Sequence, residues 1–207
     1  MPLFYTRKGD DGKSRIGKKK IYKLNPFVVA LGELDKLNSF TGIVKSSPGN
    51  KISSTLKRQL HQVQEDLFII QANVSYAMLK EKRTPPLFSH QKTKNIEKII
   101  DRIEKQLKPA RKFIISGTTH TSAWLDYLRA LSRSVERSVL AIAKDPAPNF
   151  SADRYSERGR VWGGAGKKGM SVINPDILPY LNRLSSLFFA LARWEARDKK
   201  EEHPKYK

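Results

Sequence analysis

The sequence predicts an all-α protein, a bundle of about five helices. Three observations lead there. Leu56, Leu60, Val63, Leu67, Ile70, Val74 and Ala77 recur at alternating steps of four and three, the spacing of one buried helix face. Similar apolar series run through Ile96, Ile99, Ile100, Ile103 and Leu107, and through Leu181, Leu184, Leu187, Phe188 and Leu191. Only one short apolar run, Lys112 to Gly117, has the character of a strand, and nothing elsewhere in the chain matches it as a partner.

Taken in order, residues 1–24 form a loop rather than a helix. Its core is TRKGDDGKS, Thr6 to Ser14, where Gly9 and Gly12 allow the backbone to bend so that N–H groups converge on an anion. Thr6, Ser14, Arg7, Lys8 and Lys13 add hydroxyl donors and positive charge. The loop suits phosphate, although an ordinary solvated turn has the same composition, and the spacing is neither that of a Walker loop nor that of a dinucleotide fingerprint.

Asn25-Pro26 then reads as an N-cap followed by proline in the first turn of a helix carrying Val28, Leu31, Leu34, Leu37 and Phe40. That helix should end near Lys45, before Pro48 and Gly49. The second helix holds the Leu56 to Ala77 series and stops at Thr84-Pro85-Pro86; the third runs to Pro109. Lys112 to Gly117 is expected to be a buried linker. A fourth helix is predicted over about Thr121 to Lys144 and a fifth over about Asp176 to Arg197. Between them, residues 147–175 are rich in glycine and arginine and lack helical periodicity, which predicts a mobile insertion. The charged tail, 198–207, is expected to be disordered.

The chain of 207 residues, 39% hydrophobic, is long enough for one sizeable core and short for two, so a single domain over 1–207 is expected. A formal net charge of +20 implies an anionic partner: nucleotide phosphate, nucleic acid or an acidic membrane surface. The cations are spread along the chain rather than gathered in one stripe, so specific nucleic-acid binding is not expected. There is no cysteine, which excludes disulfides and thiolate chemistry and suits an intracellular, cytoplasmic protein. No stretch approaches the roughly 20 apolar residues that cross a bilayer, and no membrane partner is expected. His61, His90, His120 and His203 are too scattered to form a local metal motif, and no metal ligands are assigned.

The fourth helix carries the strongest chemical signal. Arg129, Arg133, Glu136 and Arg137 stand at offsets 0, 4, 7 and 8, on one helical face. Trp124, Leu128, Leu131, Val135 and Val139 take another. Planar guanidinium groups bind phosphate oxygens in pairs and stay charged, so three arginines there could clamp a polyphosphate. Equally, the face could be simply solvated, with Arg133 and Glu136 paired.

The order of the pieces adds a further reading: YTRKGDDGKS, Lys23, GELDKLNS at Gly32 to Ser39, KFIISGTT, LRALSRSVER, then LNRLSSLFFALAR at Leu181 to Arg193. This order resembles the ATP:cob(I)alamin adenosyltransferases of the trimeric, propanediol-utilisation type, over nearly the whole chain except 147–175 and the tail. The resemblance implies a five-helix homotrimer with its active site between subunits, transferring the 5′-deoxyadenosyl group of ATP to reduced cobalt and releasing triphosphate, with magnesium on the phosphates. It implies that Thr6, Arg7, Lys8, Gly9, Ser14, Arg15 and Lys23 surround ATP. Arg133, Glu136, Arg137 and Asn182 would complete that site. Asp35 would pair with Arg129 across the subunit interface. Phe113 would face the corrin of cobalamin, excluding the lower axial ligand so that four-coordinate cobalt(II) is easier to reduce; core packing is the other reading of Phe113. A cobalamin reductase or an adenosylcobalamin-dependent enzyme would be the protein partners.

Four places in the chain depart from the family pattern. Lys36 stands where glutamate is usual, Ser134 replaces the second of two adjacent arginines, Ser116-Gly117-Thr118 replaces Pro-Gly-Gly, and Leu31 stands where an aromatic is common. Lys13 or the Lys18 to Lys20 run could offset the missing cation. Two other readings stand beside the enzyme: a catalytically weakened homologue that binds ATP or corrinoid as a sensor, supported by Lys36 and Ser134, and a basic nucleic-acid-associated helical protein, favoured by the charge of +20 and the RYSERGRVWGGAGKKG loop.

Overall fold

A computed structural model of the chain describes residues 4, 5, 7, 9–46, 52–79, 84–108, 112–144 and 173–205. Among them are five helices: α1 (Pro26–Ser46), α2 (Ser54–Leu79), α3 (His90–Leu107), α4 (His120–Lys144) and α5 (Ile177–Ala196). α1 packs between α2 and α4, and α5 between α4 and α3. The apolar stripes expected from spacing meet in one core. Leu34 and Leu37 of α1, Leu60 and Leu67 of α2, Leu125 and Leu128 of α4, and Leu184 and Phe188 of α5 are all buried in it.

Local chemistry starts the helices. The Asn25 side chain accepts the Phe27 N–H at 3.0 Å, the cap expected before Pro26. Ser53 caps α2 through the Leu56 N–H at 3.1 Å. Thr119 and Ser122 cap α4 reciprocally: the Ser122 N–H donates to Thr119 Oγ1 at 3.1 Å and the Thr119 N–H to Ser122 Oγ at 2.9 Å.

Three features differ from the expectation. First, the N-terminal loop contains an antiparallel hairpin, β1 (Lys13–Ile16) and β2 (Lys19–Tyr22), with Ser14 opposite Ile21 and Ile16 opposite Lys19. Gly17 takes a positive φ of 58° at the first turn position, where a tight hairpin turn favours glycine. Second, Lys112 to Gly117 is not buried: Phe113 is 78% exposed and Ile115 is also open to solvent, so core packing does not account for Phe113. Third, residues 198–205 of the expected disordered tail are described, and 201–203 are hydrogen-bonded to α5 and to the Phe113 segment. Local composition predicted disorder because it could not reveal those distant partners. Of the 147–175 insertion, 147–172 lie outside the described residues, as do 206 and 207 of the tail.

Polar groups also cross the core. Asp66 of α2 accepts the Tyr180 hydroxyl of α5 at 2.9 Å and the Gln62 amide at 3.1 Å, and pairs with Lys92 of α3. Burial first, then the Asp66 charge and the hydrogen bond to it, raise the Tyr180 phenol well above its ordinary value. The folded chain therefore keeps this proton to higher pH than the unfolded chain. Its contribution is complete below about pH 10 and is lost as pH climbs above that value. Tyr180→Phe is expected to destabilise the protein by about 1.5–3 kcal/mol near pH 8. The gap to wild type should shrink in urea unfolding near pH 11, because the variant lacks the titrating group. An unchanged gap would exclude the phenol as the cause.

Candidate active site

The first cluster of site residues lies around the hairpin. Lys23, just after β2, donates its ammonium to the Gly9 carbonyl at 2.8 Å and its backbone N–H to the Gly12 carbonyl at 3.0 Å. This explains the two glycines. A Cβ on Gly9 would lie 3.2 Å from the Lys13 carbonyl and 3.6 Å from Lys23 Nζ, while Gly12 holds φ at +76°. Asp11 closes the turn by accepting the Lys13 N–H at 3.2 Å, a bond that lowers its carboxyl pKa, with Lys20 3.6 Å away adding to the effect.

Arg7 has a left-handed φ of 55° and stacks over the Tyr5 ring at 5.4 Å. Ser14 and Arg15 lie on β1, and Arg15 is exposed. Thr6 and Lys8 lie outside the described residues. An open groove of about 580 Å³ lies beside the hairpin tip, lined by Ile16, Tyr76, Leu79 and Pro86 among others. Among the described residues its lining side chains are uncharged.

The second cluster is on α4 and α5. Asn182 donates its amide to Glu136 at 2.7 Å and accepts Arg183 at 2.7 Å, and Arg183 reaches Glu97 of α3 at 3.0 Å. Glu136 is thus held by Asn182, not by Arg133 as in the solvated-face reading. Arg137 donates to the Ser134 hydroxyl at 3.0 Å. Arg133 is exposed and makes no hydrogen bond or ion pair among the described residues. The backbone of α4 under these groups is secured by the buried Ser132, Val135 and Val139.

Two more residues from the sequence reading stand on α1 and α4. Asp35 is exposed and has no partner among the described residues. Arg129 is half-buried, and its Nε is fully buried without a hydrogen-bond acceptor. Within one chain, then, Gly9 meets Lys23 and Glu136 meets Asn182. No hydrogen bond or ion pair among the described residues joins the hairpin cluster to the α4 cluster, or Asp35 to Arg129. The sequence reading gave no role to Arg193, Asp126, Glu201 or His203, which the fold brings into contact with one another or with the Phe113 segment.

The fold and these side chains define a helical bundle with two separate groups of cations, one on a glycine-bent hairpin loop and one on the α4–α5 surface. The chain belongs to the cobalamin adenosyltransferase family, which it matches over residues 4–195. It is similar to the corrinoid adenosyltransferase of Citrobacter freundii, 28% identical over 196 residues covering 94% of this chain and 96% of that one. The Bacillus subtilis corrinoid adenosyltransferase is 28% identical over 190 residues, 91% of this chain and 84% of that one. Among solved structures, a phenylalanine-to-alanine variant of the PduO-type ATP:corrinoid adenosyltransferase of Lactobacillus reuteri, complexed with cobalamin and ATP, matches with a TM-score of 0.79. The identity is 28%, with 98% of this chain and 99% of that one covered. An arginine-to-lysine variant of the same enzyme, complexed with ATP, matches with a TM-score of 0.76 at 28% identity, covering 97% and 99%.

Proposed function

We propose that this chain is a corrinoid adenosyltransferase that joins the 5′ carbon of ATP to the reduced cobalt of cobalamin or a precursor. Cobalt(I) is the nucleophile. Its electron pair forms the Co–C bond while the C5′–O bond breaks, and that bonding pair leaves with triphosphate. No proton transfer is needed, so the chain's task is alignment and stabilisation of charge on the leaving group.

What carries the reading, beside family membership, is the pair of cationic clusters that no hydrogen bond or ion pair joins among the described residues. A site shared between subunits of a homotrimer would bring the hairpin of one protomer to the α4 face of its neighbour. Arg7, Gly9, Ser14, Arg15 and Lys23, with Thr6 and Lys8, would then surround ATP from one side. Arg133, Glu136, Arg137 and Asn182 would do so from the other. Asp35 and Arg129 support the same assembly: a guanidinium with a buried, unsatisfied Nε on one helix and an exposed carboxylate on another are complementary across an interface. Phe113, exposed on its segment, would face the corrin.

Two of the departures from the family pattern find local partners in the fold. Lys36 turns to Glu33 rather than to Asp35, leaving that carboxylate available. Ser134 steadies Arg137 through its hydroxyl. Among the described residues no group of three or more His, Cys, Asp or Glu side chains could hold a metal ion. Magnesium arriving with ATP would be carried by phosphate oxygens and water. Among the same residues no helix is long and apolar enough to cross a membrane. The proposed setting is the cytoplasm, where ATP and a one-electron reductant for cobalt(II) are both supplied.

The test is anaerobic mixing with magnesium-ATP and chemically reduced cob(I)alamin, following the corrin absorbance and the released tripolyphosphate. Equal yields of adenosylcobalamin and tripolyphosphate are expected. ATP binding without conversion would favour the sensing homologue instead. Nucleic-acid affinity that falls steeply with salt, again without conversion, would favour the nucleic-acid reading.

A further inference from the structure

Residues 201–203, in the charged tail, are tied at consecutive positions to the body of the bundle and to the segment that carries Phe113. Glu201 accepts from Arg193 Nη1 at 2.9 Å, and Arg193 gives its other terminal nitrogen to Asp126 of α4 at 2.6 Å. The carbonyl of Glu202 accepts the Ile115 N–H at 2.9 Å. His203 Nδ1 lies 2.8 Å from the Phe113 carbonyl. A carbonyl only accepts, so Nδ1 carries the proton in this contact.

The geometry separates an anchor from a grip. The anchor is rigid, because Arg193 and Asp126 are only 5% and 6% exposed and join α5 to α4. The grip falls on Phe113 and Ile115, alternate residues of one short stretch, through one carbonyl and one N–H. That stretch has no regular secondary structure, and both side chains are exposed, so burial contributes little to holding it. An exposed aromatic on such a stretch would sample many positions unless its backbone were tied. Here the backbone is tied and the ring is left open.

We propose that residues 201–203 are a positioning strap for the corrinoid-facing segment, with His203 and the Glu202 carbonyl holding residues 113–115 and Glu201 mooring the strap to Arg193. The role rests on the proposed adenosyltransferase function. His203 does not touch the reacting atoms; it acts by fixing where Phe113 stands against the corrin face.

The test compares wild type with His203→Ala, with a chain ended after Lys200, and with His203→Asn, whose amide Nδ2 can stand where the imidazole Nδ1 does. Hydrogen exchange at the Ile115 amide, which needs no substrate, should accelerate at least about tenfold in the shortened chain, with α2 amides unchanged. In His203→Ala, the KM for cob(I)alamin should rise about three- to tenfold, the change expected for one lost hydrogen bond, while the KM for ATP stays at the wild-type value. The four-coordinate cobalt(II) signal seen by electron paramagnetic resonance with ATP and cob(II)alamin should fall in parallel. His203→Asn should restore both. Unchanged Ile115 exchange in the shortened chain would overturn the strap, and so would faster exchange with wild-type corrinoid KM and cobalt signal. A wild type that forms no adenosylcobalamin would overturn the functional reading and this role together, whereas a turning-over wild type with unaffected variants would overturn the strap alone.

Discussion

Arg133→Ala is expected to slow adenosylcobalamin formation by about 10²–10³-fold, the range for removing one preorganised charge-stabilising donor. Arg133 is exposed on α4 and bonded to none of the described residues, so its truncation removes a charge without opening the fold. Its neighbours are already engaged: Glu136 by Asn182 at 2.7 Å and Arg137 by Ser134 at 3.0 Å. Unlike Arg137, Arg133 therefore has its whole fork free of bonds to the described residues, as a clamp on triphosphate would need. Arg133→Lys should lie between alanine and wild type, because it keeps the charge and loses the two-pronged geometry. Single-turnover rates with cob(I)alamin and saturating ATP measure the effect, and urea unfolding should show stability within about 0.5 kcal/mol of wild type. Wild-type turnover in the alanine variant would remove Arg133 from the site.

Arg193→Ala should produce the largest loss of stability. The guanidinium lies 2.6 Å from Asp126, and both side chains are almost wholly buried. It also lies 5.1 Å from the Phe189 ring centre and reaches Glu201 at 2.9 Å. Truncation leaves Asp126 charged and without its cation inside the α4–α5 seam. Breaking a buried pair from one side costs about 3–5 kcal/mol. The pairing itself is a different quantity. Replacing both residues together, as Asp126→Leu with Arg193→Met, should recover most of the loss, because no stranded charge remains. Urea unfolding at one fixed protein concentration makes the comparison fair for a chain proposed to assemble. A loss below about 1 kcal/mol in Arg193→Ala would mean that water reaches Asp126 and that the seam is wetter than its burial implies.

The same two arginines show what could be read from the sequence. Arg133 was legible because its setting is local: it shares a helical face with Arg129, Glu136 and Arg137, and that face follows from spacing alone. Arg193 was not, because it is one charged residue in an amphipathic helix and its partner Asp126 lies 67 positions earlier. Asp66 did leave a trace. It sits beside Val63, Leu67 and Ile70, inside the stripe expected to face the core, and a carboxylate there calls for a buried partner. The sequence could not say that the partner would be Tyr180, 114 positions away.

The hairpin was missed for another reason. Its strands are four residues each, rich in lysine and without a buried apolar face, so the period-two signal that marks a strand is nearly absent. Gly17 was the one available cue.

By itself the sequence determined the five helices, the cap at Asn25 and the cationic face of α4. All of these follow from interactions between residues a few positions apart, whose geometry the backbone period sets. Only the tertiary structure decided that Phe113 is open to solvent, that the tail folds back to grip its backbone, and that Asp126 and Arg193 share a buried seam. Those contacts join residues 67 to 90 positions apart, and only packing the helices together brings them within hydrogen-bond reach.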